Sequence, residues 1–142
     1  MRRFSLASLP ILLISLLAIM LTGCASDIRS DSLSKTLNQY ASVLRWGDFA
    51  SAQQFLDADY REAHPLSPLD LARYTQVRVS SYDDGQGAVP SGENEVRQVV
   101  QINLINNNTQ SERTVIDHQT WRYDPATHKW WLMTGLPVIS QQ

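Results

Sequence analysis

An apolar run from Leu9 to Leu21 separates the N-terminal segment from the part of the chain that has to fold. Two basic residues, Arg2 and Arg3, precede the run, and small residues follow it. A basic start, a short apolar stretch and small residues at its end are typical of an export signal. The run is also shorter than the roughly 20 apolar residues that a membrane-spanning helix needs. The sequence therefore predicts that residues 1–23 are a signal peptide.

The end of this run, Leu21-Thr22-Gly23-Cys24, resembles the lipobox of bacterial lipoproteins. In that family small residues precede the cysteine, which is lipidated and becomes the new N-terminus. The resemblance implies acyl chains such as palmitate on Cys24, and with them a membrane as partner. Because Ala25 and not aspartate follows the cysteine, it also implies a periplasm-facing lipoprotein held in the outer membrane more than in the inner one. The alternative is an ordinary signal peptide, or a buried helix, with a chance cysteine.

The remaining chain has the size of one domain. Removing 23 of the 142 residues leaves 119, of which residues 24–31 are expected to be a short polar tether and residues 32–142 the domain. Cys24 is the only cysteine, so the domain depends on its hydrophobic core and has no internal disulfide. Two of the 12 basic residues leave with the signal and all 14 acidic ones stay, which changes the formal net charge from −2 to −4. An acidic domain is poorly suited to nucleic acid, so no nucleic-acid partner is expected.

The first half of the domain has the residue spacing of helices. Four apolar residues share one face of a first helix: Leu33, Leu37, Tyr40 and Leu44. This helix can begin at Asp31 or Ser32 and end at Gly47 in a left-handed conformation. Asp48 suits the N-cap of a second helix, whose inner side carries Ala52, Phe55 and Leu56. Residues 57–62 are predicted to fray into a loop.

A third, short helix is predicted to begin at Ser67, with Pro68 in its first turn. From Tyr74 onward the pattern is that of strands, predicted at residues 77–82, 96–104, 113–123 and 128–134. Turn-forming residues separate them, at 83–92, at 106–108 and at Asp124-Pro125. The sequence therefore predicts an α+β fold, with two to three N-terminal helices packed on a curved antiparallel four-stranded meander sheet.

Several segments of this domain resemble the NTF2-like family, also called cystatin-like α+β. They are Trp46-Gly47-Asp48-Phe49-Ala50, residues 117–124, Trp130-Trp131-Leu132 and Leu136-Pro137. The resemblance covers most of residues 33–138 and implies a cone between the helices and the sheet. In isomerases and dehydratases of this family the cone holds an Asp or His beside a Tyr or Trp. The family also contains binding and assembly proteins that often dimerise through the sheet, so the fold alone implies no reaction, and a homodimer is compatible with it.

Asp117 is the candidate catalytic residue that this resemblance suggests. Neighbouring residues on a strand face opposite sides, so Asp117 shares a face with Trp121 and Tyr123 and cannot pair with His118. That face is expected to meet the helices. We therefore expect a semi-buried structural carboxylate bonded to a Tyr, an Arg or a backbone group. A catalytic or ligand-binding Asp117, in a pocket with Tyr40, Tyr60 or Tyr74, is the alternative.

No metal site and no cofactor are expected from the sequence. His118 and His128 lie on strands joined by the Asp124-Pro125 turn, which places their imidazoles roughly 16 Å apart at about 3.3 Å per residue. Cys24 is assigned to the anchor. Gly85-Gln86-Gly87 lacks the third glycine and the following helix of a dinucleotide-binding motif, and no serine stands in a Gly-x-Ser-x-Gly turn.

Trp130 and Trp131 are expected to face opposite sides of the last strand. The outer one, Trp131, either packs beneath a loop or a terminus or marks a patch that binds a partner. Three arginines are predicted to share the open side of the sheet with it: Arg97, Arg113 and Arg122. The sequence thus predicts a lipid-anchored envelope protein that binds or bridges a partner protein and is not an enzyme. The alternative is a small-molecule-binding or enzymatic cone domain that uses Asp117.

Overall fold

Four helical segments precede five strands in residues 23–139, the part of the chain that this structure, a computed structural model, describes. Helix α1 spans Gly23–Trp46, a 3-10 helix spans Phe49–Phe55, α2 spans Ala58–Ala63 and α3 spans Pro68–Tyr74. The strands are β1 (Val77–Asp83), β2 (Val89–Gly92), β3 (Glu95–Asn106), β4 (Glu112–Asp124) and β5 (Lys129–Leu132). The predicted α+β class, with helices before an antiparallel sheet, is confirmed.

Helix α1 buries the predicted stripe but is longer than predicted. Tyr40 and Leu44 are buried, and Leu33 and Leu37 pack partly buried against the core. The helix begins at Gly23 and so includes the residues expected to be a tether. It ends before Gly47, which does not take the expected left-handed conformation. Glycine is needed there for another reason: a Cβ would lie 2.8 Å from the carbonyl oxygen of Val43, closer than such atoms approach.

Three capping residues organise the chain between α1 and the sheet. Asp48 caps the second helix as predicted, accepting from the amide of Ala50 at 2.9 Å, although the helix is of the 3-10 type. The predicted loop at residues 57–62 is wrong, because the carboxylate of Asp57 accepts from the first amides of α2 and holds this segment helical. Ser67 and Asp70 form a reciprocal capping box at the start of α3, which confirms the third helix.

The sheet has the strand order β1-β3-β4-β5, with all pairs antiparallel. One strand was not predicted: β2 lies inside the expected loop at 83–92 and pairs with the first residues of β3. It therefore continues the edge that β1 begins. The last strand is shorter than predicted at both ends: His128, at φ 55°, belongs to the turn before Lys129, and the strand ends at Leu132 and not at Thr134.

The core lies between one face of the sheet and the helices. Trp121 of β4 is fully buried and meets the ring of Tyr40 edge-on, with centroids 5.2 Å apart. Phe55 contacts both rings, and Phe49 stacks on Tyr74 at 5.0 Å. A large side chain buried in this way contributes about 1.5–3 kcal/mol through removal of apolar area from water. Tyr40, Phe55 and Gln119 thus contact Trp121 between the helices and the sheet.

Candidate functional sites

A buried polar cluster lies at the centre of the helix-facing side of the sheet. Gln119 is its hub: its Nε2 donates to Oδ2 of Asp117 at 2.7 Å and to the hydroxyl of Tyr82 at 3.3 Å. Its Oε1 accepts from Nε2 of Gln98 at 2.7 Å and from Nε1 of Trp121 at 3.1 Å. Gln98 and Gln119 face each other in the β3–β4 register, which is why their amides meet. All four hydrogen-bonding positions of the Gln119 amide are used.

Asp117 lies on the helix-facing side, as the strand parity predicts, and is 9% exposed. Among the described residues its carboxylate accepts from Gln119, and not from the Tyr, Arg or backbone group expected from the sequence. Burial raises the pKa of the Asp117 carboxyl, while the Gln119 hydrogen bond and the charge of His118 oppose that rise. An acid or base must come within hydrogen-bond reach of its substrate, and this carboxyl is enclosed by the core. Asp117 is thus a buried member of the Gln119 cluster.

Two of the three tyrosines proposed to share a pocket with Asp117, Tyr40 and Tyr74, lie close enough to it for its charge to raise their pKa. Tyr40 is fully buried, and burial together with the nearby Asp117 raises its pKa. Tyr74 donates its hydroxyl to the carbonyl of Pro137, and burial raises its pKa to about 12. Tyr60 instead stacks on His64. The tyrosine that the sequence did not single out, Tyr82, is the one joined to Asp117 through Gln119.

The opposite, outer face of the sheet carries exposed apolar side chains. Val99 of β3 is 53% exposed and Ile116 of β4 is 51% exposed, and the register places them on adjacent strands two pairs apart. Val89 of β2 is similarly exposed and is the register partner of Arg97. Within residues 23–139 the helices pack on the other side of the sheet, which leaves these side chains exposed.

Trp131, Arg97 and Arg122 lie on that outer face, as predicted. Trp131 is half-buried and is the register partner of Arg122, and Trp130 is buried on the inner side. Arg122 forms an ion pair with Asp57 at 2.8 Å, and Arg97 forms one with Glu95 at 3.1 Å.

The placement of Arg113 on the outer face is wrong. It has the strand parity of Asp117, and its guanidinium donates to the backbone carbonyl of Ile139 near the end of the described chain. Its register partner, Leu104, is buried in the core, which confirms that this parity faces inward.

An apolar groove of about 750 Å³ lies where the start of α1 crosses the ends of the strands. Its lining includes Ile28, Leu33, Tyr123 and Trp130. The guanidinium of Arg29 lies 5.1 Å from the ring centroid of Tyr123 and 5.4 Å from that of Trp130, which attaches this part of α1 to the sheet. The sequence patterns did not indicate this groove, because they placed these residues of α1 in a tether.

Residues 23–139 contain no group of three or more His, Cys, Asp or Glu side chains that could hold a metal ion. Over the same residues, no helix is long and apolar enough to cross a membrane. Most of the predicted signal peptide, residues 1–22, lies outside the described residues, and Cys24 falls in the first turn of α1.

Comparison with protein-family models, with curated proteins and with solved structures finds no match for this chain. The residues and their geometry are therefore the basis on which a function can be assigned.

Proposed function

We propose that this protein is a lipoprotein anchored through Cys24 in the bacterial cell envelope, and that its domain is a non-enzymatic module. In this proposal it binds or bridges a partner protein at the periplasmic side of the membrane, in the outer membrane more than the inner. The observation that carries the binding role is the outer face of the sheet, with Val99 and Ile116 exposed on adjacent strands, two register pairs apart.

The outer face has the composition of a binding surface. An exposed apolar group rimmed by polar residues is typical of protein contact sites, and arginine and tryptophan are enriched in them. The exposed apolar side chains here are those of Val89, Val99 and Ile116. Arg97 lies beside them, and Arg122 and Trp131 lie on the same face towards β5. Because their carboxylate partners already hold the two arginines, these side chains lose less freedom on binding.

The enzymatic alternative has less support. Asp117 is the candidate acid or base, and its carboxyl lies within the core beside Gln119. The NTF2-like assignment remains part of the proposal. It is supported by the order of elements, helices followed by an antiparallel sheet that packs one face on α1. A homodimer through the outer face would use the same apolar residues, and crosslinking distinguishes it from a second protein.

A photo-crosslinking amino acid at Val99 or Ile116, in the full chain in intact cells, tests the proposal. We expect discrete crosslinked products from both positions and none from Gln39, an exposed position on α1. Ile116→Glu should abolish the Val99 product, whereas the surface control Lys35→Glu should not. A product of twice the protein's own mass would identify a homodimer. Equal crosslinking at all three positions would contradict a specific outer-face site.

The anchor is tested separately, through Cys24→Ser. We expect this variant to lose membrane fractionation and acyl labelling while the folded domain keeps its thermal midpoint. If membrane association and labelling persist, the assignment of Cys24 as the lipidated residue is wrong, whatever the outer face binds.

Ligand binding in the apolar groove is the second candidate function. The groove beside Arg29, Tyr123 and Trp130 has the size and apolar lining of small-molecule sites, which commonly span about 300–1,000 Å³. Native mass spectrometry of the full chain tests it. A constant extra mass that is lost on denaturation, and absent from Leu33→Asp, would support a ligand at this place.

A further inference from the structure

The apolar groove lies beside the residue to which the lipid anchor is assigned. Cys24 is in the first turn of α1, and two residues that follow it closely, Ser26 and Ile28, line the groove. At about 1.5 Å per residue, Cys24 and Ile28 are about 6 Å apart along the helix axis. An acyl chain on Cys24 would therefore start about one helical turn from the groove.

The first turns of α1 carry one large apolar side chain, that of Ile28, in a polar stretch. The other residues from Ser26 to Ser32 are polar or charged. Ile28 is 56% exposed although it borders the apolar groove. Its surface is thus available to an apolar occupant, which would remove it from water.

The remaining lining of the groove suits a hydrocarbon chain. Its other apolar and aromatic members come from α1, from the strands and from the turn after β4: Leu33, Pro90, Val96, Tyr123, Pro125 and Trp130. The volume of about 750 Å³ equals that of about 25 waters at roughly 30 Å³ each. A palmitoyl chain consists of fewer methylene-sized groups than this, so the groove is large enough for one chain.

Arg29 holds this part of α1 on the sheet. Its guanidinium lies over the rings of Tyr123 and Trp130 and donates to the backbone carbonyl of Glu93. The indole of Trp130 in turn donates to Oγ of Ser32 at 3.1 Å. These contacts keep the first turns of α1 beside the groove, whereas a flexible tether would let the anchor move away from it.

We propose that the apolar groove holds one acyl chain of the protein's own Cys24 while the protein is away from a bilayer. The inference rests on the lipidation of Cys24 proposed above, and it names the occupant of the groove. Removal of each methylene group from water favours docking. Attachment to the same chain makes docking intramolecular, which is equivalent to a local concentration in roughly the millimolar range. The groove and the bilayer thus compete for the same chain.

The charges of the lining favour this occupant over a free fatty acid. Two carboxylates line the groove, those of Glu93 and Glu95, against one guanidinium, that of Arg29, which already contacts two rings and a carbonyl. A free fatty acid brings a further carboxylate, which these acidic residues repel. An acyl chain that is covalently attached at Cys24 carries no such charge.

A photo-reactive palmitate analogue, supplied to cells that make the full chain, tests the proposal. The analogue carries a diazirine, which on irradiation inserts into bonds beside it, and an alkyne for detection. The lipidated protein is purified in detergent, transferred to detergent-free buffer and irradiated, and mass spectrometry locates the adducts. We expect adducts within one chain, on groove residues such as Leu33, Val96, Tyr123 and Trp130.

Variants at exposed positions locate the bound chain. Ile28→Asp should reduce the groove adducts at least about tenfold, because a carboxylate loses its hydration in contact with hydrocarbon. Leu69→Asp is the matched control, since Leu69 is 58% exposed, lies on α3 outside the groove, and its replacement should leave the adducts unchanged. Arg29→Gln should reduce the adducts about fivefold by releasing the start of α1, whereas Arg45→Gln on the same helix should not.

The label on Cys24 separates failure of this inference from failure of the lipidation. If Cys24 is labelled but the adducts lie outside the groove, or join two chains, the inference is overturned and the lipidation stands. If Cys24 carries no label, the lipidation is wrong and the inference fails with it. Equal loss of adducts in Ile28→Asp and Leu69→Asp would also overturn the inference, because the adducts would not depend on the groove.

Discussion

The two faces of β4 carry alternate residues of one strand and differ in what they are able to do. On the inner face Asp117, Gln119 and Trp121 are buried and bonded to one another. On the outer face Ile116 and Arg122 are exposed. The inner face encloses the candidate acid or base, Asp117, beside Gln119. The outer face carries His118 and Arg122 with Ile116 and keeps these side chains exposed, so accessibility and not residue type separates a candidate binding surface from the core.

The largest difference in stability between inner-face and outer-face variants is expected for two tryptophans on opposite sides of the sheet, Trp121 and Trp131. Trp121→Ala should lower the free energy of unfolding by about 3–5 kcal/mol, since it empties a fully buried site that contacts Tyr40. Trp131→Ala on the outer face should cost about 1 kcal/mol or less. Urea denaturation of both variants measures the difference. Equal losses would show that Trp131 also belongs to the core.

The next largest effect on stability is expected for Gln119, the hub of the buried polar cluster. Gln119→Leu should destabilise the domain by about 1–3 kcal/mol for each buried partner left unpaired, because Gln98 and Asp117 would both lose their hydrogen bonds. The outer-face control Gln101→Leu should change stability by no more than about 0.5 kcal/mol. Thermal unfolding of the two variants provides the comparison. A neutral Gln119→Leu would mean that the cluster contributes nothing beyond its packing.

The raised pKa of Asp117, a residue of the inner face, predicts that the stability of the domain depends on pH. The folded protein keeps the Asp117 proton to a higher pH than the unfolded chain, whose carboxyl titrates near 3.8. The contribution of Asp117 to stability therefore falls as pH rises from about 4 through the raised folded pKa. Asp117→Asn removes this titration, so its stability relative to the wild type should increase over that interval. Denaturation midpoints of both proteins at several pH values measure this, and a constant difference would contradict the raised pKa.

The smallest effect is expected for the outer-face ion pair of Arg122 with Asp57. The side chain of Arg122 is 52% exposed and that of Asp57 13%, and a pair that solvent reaches through one member contributes about 0.2–1 kcal/mol and is screened by salt. Because Asp57 also caps α2, a double-mutant cycle with Arg122→Gln and Asp57→Asn is needed to isolate the pair. A coupling above about 2 kcal/mol, or one insensitive to salt, would mean that this pair is effectively buried.

Local patterns predicted much of the fold. The spacing of Leu37, Tyr40 and Leu44 predicted the buried stripe of α1, and Ser67 with Pro68 predicted the start of α3. These predictions succeed because helix spacing and capping depend on residues within a few positions of each other. Strand β2 was missed because its pairing with β3 is not a local property of the sequence.

The binding candidates were predicted only in part. Strand parity placed Asp117 inside and Arg122 outside, but the same rule, applied to Arg113, shows that its assignment to the outer face was an error. The hub role of Gln119 could not be predicted, because it depends on the β3–β4 register that brings Gln98 opposite to it. The groove at Arg29 depends on α1 extending to Gly23, which polar residues in the expected tether did not suggest.

The sequence by itself determined the export and lipidation hypothesis, the α+β class and the alternation of faces along each strand. These come from composition and from periodicities of a few residues. Only the tertiary structure decided which polar groups are paired and which are left open. Within residues 23–139, Asp117 is hydrogen-bonded to Gln119 while the carbonyl oxygen of Gln98 has no donor, because pairing in a core depends on contacts between residues far apart in the chain.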